Sequence, residues 1–283
     1  MIPSKVEYHK PQNIDEAIQL LQTHGDSCKL LAGGHSLIPV MKLRLADPEN
    51  LIDISGLESL KGISDNEKSI SIGAACTHGE IAKNEAVRRH APMLAKAASM
   101  IGDVQVRNFG TIGGSIAHAD PAADWPAVLL ASNATVLIRN ADGTREKDID
   151  QFFQGLFFTA LEDGEIITGL RIPKTDFNAN SNYEKFAQPA SRFALVGCAV
   201  AVSLQDGVVS TARVAFNGVS TTPFRDTGIE EALTGKPFNE ATINAAVANA
   251  ADGQEIMSDH FASEKYRKHL ASVYAARSLN GLA

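Results

Sequence analysis

Two glycine pairs about eighty residues apart, Ala32-Gly33-Gly34-His35-Ser36 and Thr111-Ile112-Gly113-Gly114-Ser115, constrain this chain more than any other feature. Each lies beside an apolar run and ends in a serine hydroxyl. Glycine reaches positive φ and lets a backbone approach a ligand with no Cβ in the way. Consecutive N–H groups in such a turn form a concave anion nest. One pair alone reads equally well as a tight turn. Two with matching serine ends read as two walls of one phosphate or pyrophosphate pocket.

With 283 residues the chain has room for two or three packed units. Its 44% apolar and 21% charged residues are ordinary for a globular protein. The formal net charge of -7 argues against a broad basic surface for nucleic acid, so an anionic ligand must be held by local donors. The N-terminus lacks an apolar signal core, and no run is long enough to cross a bilayer. Cys28, Cys76 and Cys198 are far apart in sequence and suggest neither a disulfide framework nor an iron–sulfur ligand set. These features together predict a cytoplasmic protein without a metal cluster of its own. His118-x-Asp120 is too sparse to read as a metal site, so no metal ligands are assigned.

Helical spacing of Ile14, Ala17, Ile18 and Leu21 predicts a helix over 13–24 closed by Gly25, then a strand over 29–32 entering the first glycine pair. Ser36 is a candidate cap for a short helix through Met41, and 51–54 reads as a second strand. Further on, 69–74 is strand-like, and Thr77-His78-Gly79-Glu80 matches a capping box. A buried helix is expected over 91–101, a helix over 124–132, and strands over 135–139 and 165–172, with a hairpin turn at 140–143. The polar stretch 174–182 reads as a linker. Beyond it come strands at 183–187, 198–204 and 208–216, then helices at 226–234, 240–251 and 263–279, a small α+β block.

The dinucleotide fingerprint Gly-x-Gly-x-x-Gly is absent around Gly110–Gly114, and neither glycine pair is followed by the lysine of a P-loop. Ala32–Ser36 running on through Leu37–Arg44, with Arg107–Ser115 and Asp120-Pro121-Ala122-Ala123-Asp124, instead resembles the FAD-binding medium subunit of molybdenum hydroxylases, of the aerobic carbon monoxide dehydrogenase type. Phe152-Phe153-x-Gly155 and Tyr266-Arg267 extend the resemblance over essentially the whole length.

The resemblance implies an α+β fold: an FAD-binding fold of the p-cresol methylhydroxylase type in two α+β subdomains, 1–55 and 56–177, followed by a small C-terminal α+β domain, 178–283. It implies FAD as cofactor, with Ala32, Gly33, Gly34, His35, Ser36, Thr111, Gly114 and Ser115 at the pyrophosphate. Asp124 is placed at the ribityl or ribose hydroxyls, a role compatible with opening the helix that follows. Leu161 is placed near the flavin pyrimidine edge, or is a core leucine. Lys185 is placed near the ring, where a positive charge stabilises the reduced flavin, or is a solvated strand lysine. Phe193 is placed over the ring, where relatives can carry tyrosine. Partners implied are a molybdopterin-binding large subunit and a 2Fe-2S small subunit, as a dimer of heterotrimers. Two other readings stay open: a self-sufficient FAD-dependent oxidase or reductase, and a nucleotide-binding assembly protein without redox function. The substrate, whether carbon monoxide, an aldehyde, a purine or another N-heterocycle, is not legible, nor is the final acceptor.

Overall fold

The computed structural model describes residues 2–282, which form three larger sheets and a two-stranded one of Phe153–Gly155 with Phe158–Thr159. The first is parallel, with Asn50–Asp53 between Glu7–His9 and Cys28–Leu31. Its central strand is buried almost throughout, as a parallel strand covered on both faces must be. The helix Ile14–His24 opens at Asn13, whose side chain accepts from Glu16 N at 2.9 Å, and it buries Ile14, Ala17 and Ile18 against this sheet. Strand Cys28–Leu31 then delivers the chain into the first glycine pair.

The second sheet is antiparallel, with strands in the order Ile63–Asp65, Ser69–Gly73, Ile166–Pro173, Thr135–Asn140 and Gly143–Asp148. Helices between residues 78 and 132 pack on it. The capping box at Thr77 and Glu80 forms in full, which fixes where the helix His78–Lys83 begins. Helix Asp124–Ser132 is buried along all nine residues.

That helix is enclosed because the third sheet covers it. Strands Ser181–Ala187, Ala194–Gln205, Val208–Asn217 and Phe224–Arg225 form an antiparallel meander. Side chains alternate faces along a strand. Val196, Cys198, Val200 and Val202 therefore pack against the C-terminal helices, while Ala199 and Ala201 join the core around Trp125. Small residues on that face let the helix come close. Gly197 goes further, since a Cβ there would collide with the Tyr183 hydroxyl and the Asn217 amide.

Tyr183 Oη donates to Asp124 Oδ1 at 2.5 Å, so its proton is already engaged. Asn217 Oδ1 lies 3.2 Å from the same hydroxyl, while Asn217 Nδ2 is buried without a partner. Exchanging the amide oxygen and nitrogen lets Nδ2 donate to Tyr183 Oη.

Four expectations change. The stretch 174–182 contains a short helix, Asp176–Ala179, capped by Thr175, and its Asn178 is fully buried with Nδ2 donating to Ser132 O and Pro173 O. Polar composition there serves internal hydrogen bonds. Gly113 and Gly114 lie inside the first turn of a helix, Ile112–His118, and not in an open turn. Ser36 precedes the helix Leu37–Lys42 but its hydroxyl makes no cap, because the residue is already in the helical region. The helix expected to run to 251 ends at Val247, and Ala250 and Ala251 continue as buried turn residues.

Gly197→Ala should cost about 1–3 kcal/mol through overpacking at the Tyr183–Asn217 contact. Chemical denaturation measures it. An unchanged midpoint would mean that the glycine is not needed for this packing.

Candidate functional site

A cleft of about 970 Å³ runs between the first sheet's loops, the middle helices and the edge of the third sheet. Such a volume suits a large cofactor. Both glycine segments line it, and they touch each other. A Cβ on Gly33 would overlap the Phe109 carbonyl oxygen and come within 2.8 Å of Gly110 Cα. One on Gly114 would lie 3.9 Å from Ala32 Cβ. The rings of His35 and Phe109 stack across the same seam at 5.8 Å.

The two walls differ in what they offer. Gly34 takes φ +70°, turning the first segment back on itself. The N–H groups of Gly33, Gly34, His35 and Ser36 find no acceptor among the described residues, so this wall is a nest of unengaged donors. In the second segment the four N–H groups from Ile112 to Ser115 are engaged. Ile112 N donates to Cys76 O, Gly113 N to Ala74 O, Gly114 N to Thr111 Oγ1 and Ser115 N to Thr111 O, at 2.9–3.1 Å. The second wall is therefore no amide nest. It offers the Thr111 and Ser115 hydroxyls and, at Gly114, close backbone approach.

Eleven of the twelve residues assigned from sequence line the cleft; Lys185 does not. Its ammonium is buried one layer behind, donating to Asp124 Oδ2 and to Arg192 O, both at 2.8 Å. Strand pairing explains this placement, because Lys185 and Tyr183 share the sheet face that meets helix Asp124–Ser132. The alternative of a solvated lysine is excluded, and so is an unpaired charge facing the cleft. Burial pushes the Asp124 carboxyl up from its ordinary value, while Lys185 and Tyr183 pull it down. Burial and the neighbouring Asp124 raise the Tyr183 phenol well above its usual range.

Leu161 lines the far end, and its N–H donates to Thr159 Oγ1 at 3.3 Å. Phe193, 44% exposed, stands at the rim on a loop closed by Gln188 N donating to Phe193 O at 2.8 Å. Sequence reasoning missed His78, Phe157 and Arg192, which line the cleft too. His78 had a signal, since the capping box places it at the first helical position. Phe157 and Arg192 have positive φ, which nothing in their sequence context announces. Among the described residues no group of three His, Cys, Asp or Glu side chains could hold a metal; His118 stacks on Phe157 at 5.2 Å.

Two outcomes follow from these contacts. Gly33→Ala should drive the two walls apart, weakening flavin retention at least tenfold in an equilibrium titration; unchanged affinity would refute the contact's role. Lys185→Met should strand the Asp124 carboxylate and cost about 3–5 kcal/mol in stability, with Asp124→Asn recovering most of it in the double variant. Additive losses in that cycle would contradict the pairing.

Residues 4–175 match the family described as the FAD binding domain in molybdopterin dehydrogenase, and residues 181–282 match the CO dehydrogenase flavoprotein C-terminal domain. The carbon monoxide dehydrogenase medium chain of Hydrogenophaga pseudoflava is 38% identical, over 99% of this chain and 98% of that one. The glyceraldehyde dehydrogenase medium chain of Sulfolobus acidocaldarius is 34% identical over 100% of both chains. The solved carbon monoxide dehydrogenase from Hydrogenophaga pseudoflava superposes with a TM-score of 0.95 at 39% identity, covering 99% of this chain and 98% of that chain. A full-length match in sequence and fold, on a cleft shaped as described, shows that this chain belongs to the FAD-binding medium subunits of the molybdenum hydroxylases.

Proposed function

We infer that this subunit takes electrons from iron–sulfur clusters on a small partner chain and hands them from FAD to an external acceptor, with substrate hydroxylated at a molybdenum centre on a large partner chain. The observation that carries this is the pairing of four unengaged amides in Gly33–Ser36 with the Thr111 and Ser115 hydroxyls across one seam. These residues fit the cofactor: a Cβ at Gly33 would obliterate the contact, and donors without acceptors await an anion. Neutral donors suit a chain of net charge -7.

When bound, FAD supplies the ability to accept and release electrons, and the protein supplies position and electrostatics. Gly33–Ser36 and the two hydroxyls would hold the diphosphate. Asp124 would meet the sugar or ribityl hydroxyls with its oxygens already oriented by Tyr183 and Lys185. Leu161 and Phe193 would flank the ring, and Phe193 covers without hydrogen-bonding. Lys185 acts through Asp124, so the pair together presents little net charge to the ring.

Partners in this reading are a molybdopterin-binding large subunit and a 2Fe-2S small subunit, assembled as a dimer of heterotrimers. Consecutive exposed residues Leu156, Phe157 and Phe158 beside the cleft suit such docking. A separate larger sheet in each part supports the division at residues 55 and 177. A reducing cytoplasm accords with three free, buried cysteines. Relatives named for carbon monoxide and for glyceraldehyde share this scaffold, so substrate choice belongs to the large chain.

Coexpression with the two partner chains, followed by anaerobic addition of carbon monoxide, an aldehyde or an N-heterocycle, tests the reading. Flavin absorbance should bleach in the complex and stay oxidised in the isolated FAD-loaded chain. Equal turnover by the isolated chain would make it a self-sufficient flavoenzyme, and a complex without FAD would make it an assembly protein.

A further inference from the structure

One side chain aimed into the cleft has no role in the account above. His78 is only 5% exposed, yet it lines the cleft. The Trp125 indole nitrogen lies 3.1 Å from His78 Nδ1, and an indole nitrogen can only donate. Nδ1 must therefore carry the lone pair, and the proton of the neutral ring sits on Nε2. That nitrogen has no hydrogen-bond partner among the described residues. It faces Gly110, where a Cβ would come within 2.7 Å of it, so the missing side chain at 110 leaves its path open. Gly110 is also the residue against which Gly33 presses. His78 N donates to Gly110 O at 2.9 Å, fixing the ring beside the seam where both walls meet.

We propose that His78 donates its Nε2–H to the diphosphate of the flavin nucleotide, a third kind of donor beside the amides of Gly33–Ser36 and the hydroxyls of Thr111 and Ser115. This rests on the flavin reading given above. Trp125 is the positioning residue: buried behind the imidazole, it selects the tautomer that points a proton at the ligand and blocks a second proton on Nδ1. Burial first, then the charges of His35 and Arg107, hold the His78 ring down to about pKa 4. Other charged groups nearby are engaged. Glu80, on the same helix, accepts from Thr77 N, and Asp124, on the helix of Trp125, pairs with Lys185. His78 therefore binds as a neutral donor, and its contribution to affinity does not vary between pH 5.5 and 8.

The sign for an unlocked ring is the reverse. Removing the indole N–H frees Nδ1 to take a proton, and an adjacent dianion raises the ring's pKa in the complex. FAD then binds more tightly as pH falls through that raised value.

The test is FAD titration of the flavin-stripped full-length chain by quenching of the flavin's own fluorescence from pH 5.5 to 8, with far-ultraviolet circular dichroism and thermal melting to verify folding. His78→Leu should weaken binding about ten- to a hundredfold, the loss of one charge-assisted hydrogen bond. His78→Gln, which can accept from Trp125 and still donate into the cleft, should stay within about threefold of the parent. Trp125→Phe should match the parent within a few-fold at pH 8 and gain affinity relative to it toward pH 5.5. Failure of the parent chain itself to bind FAD would sink the flavin reading instead. With the parent binding, equal affinity of His78→Leu, no rescue by His78→Gln, or a Trp125→Phe profile parallel to the parent's would each overturn the proposal.

Discussion

The close approach of Gly33 to the backbone of Phe109 and Gly110 is the contact on which the site depends. It brings a loop leaving a parallel sheet against a loop entering a helix that belongs to a different, antiparallel sheet. No residue larger than glycine permits that distance. With it, the unengaged amides of one segment face the hydroxyls of the other; without it, each remains an ordinary turn. The cleft is thus a property of the junction between two units, which is where ligand sites commonly form.

The two walls solve different problems. The second segment engages the amides of Ile112–Ser115 with Ala74, Cys76 and Thr111, so it contributes shape and hydroxyls. The first segment keeps its amides available at the cost of a left-handed glycine. Beneath both lies a buried array in which Asp124 is held by Lys185 and Tyr183 and covered by the small-residue face of the third sheet. The C-terminal unit reaches the site through this array as well as through the Phe193 loop. Charge is introduced behind the cleft only as a pair, in keeping with the acidic character of the chain.

Much of this was legible in sequence because it depends on local chemistry. The glycine pairs, the Thr77–Glu80 box, the helix after Asn13 and the strand over 69–74 all follow from short-range rules, and the helices and strands stand close to where those rules place them. What escaped depends on tertiary partners. Whether a glycine amide is free or engaged turns on where Ala74 falls, which is 39 residues from Gly113. Lys185 reads as a cation near a ring until Asp124 is found against it. Asn178 reads as linker until Ser132 and Pro173 claim its amide. His78 was visible only as a helix-starting residue, since its proton position is dictated by a tryptophan from another helix.

Amide hydrogen exchange of the full-length chain with and without FAD tests the central claim most directly. Exchange at Gly33–Ser36, whose amides have no acceptor among the described residues, should slow strongly on FAD binding, while Ile112–Ser115, already hydrogen-bonded, should exchange slowly in both states. Protection that appears elsewhere while Gly33–Ser36 continues to exchange freely would show that the diphosphate does not lie between these two walls.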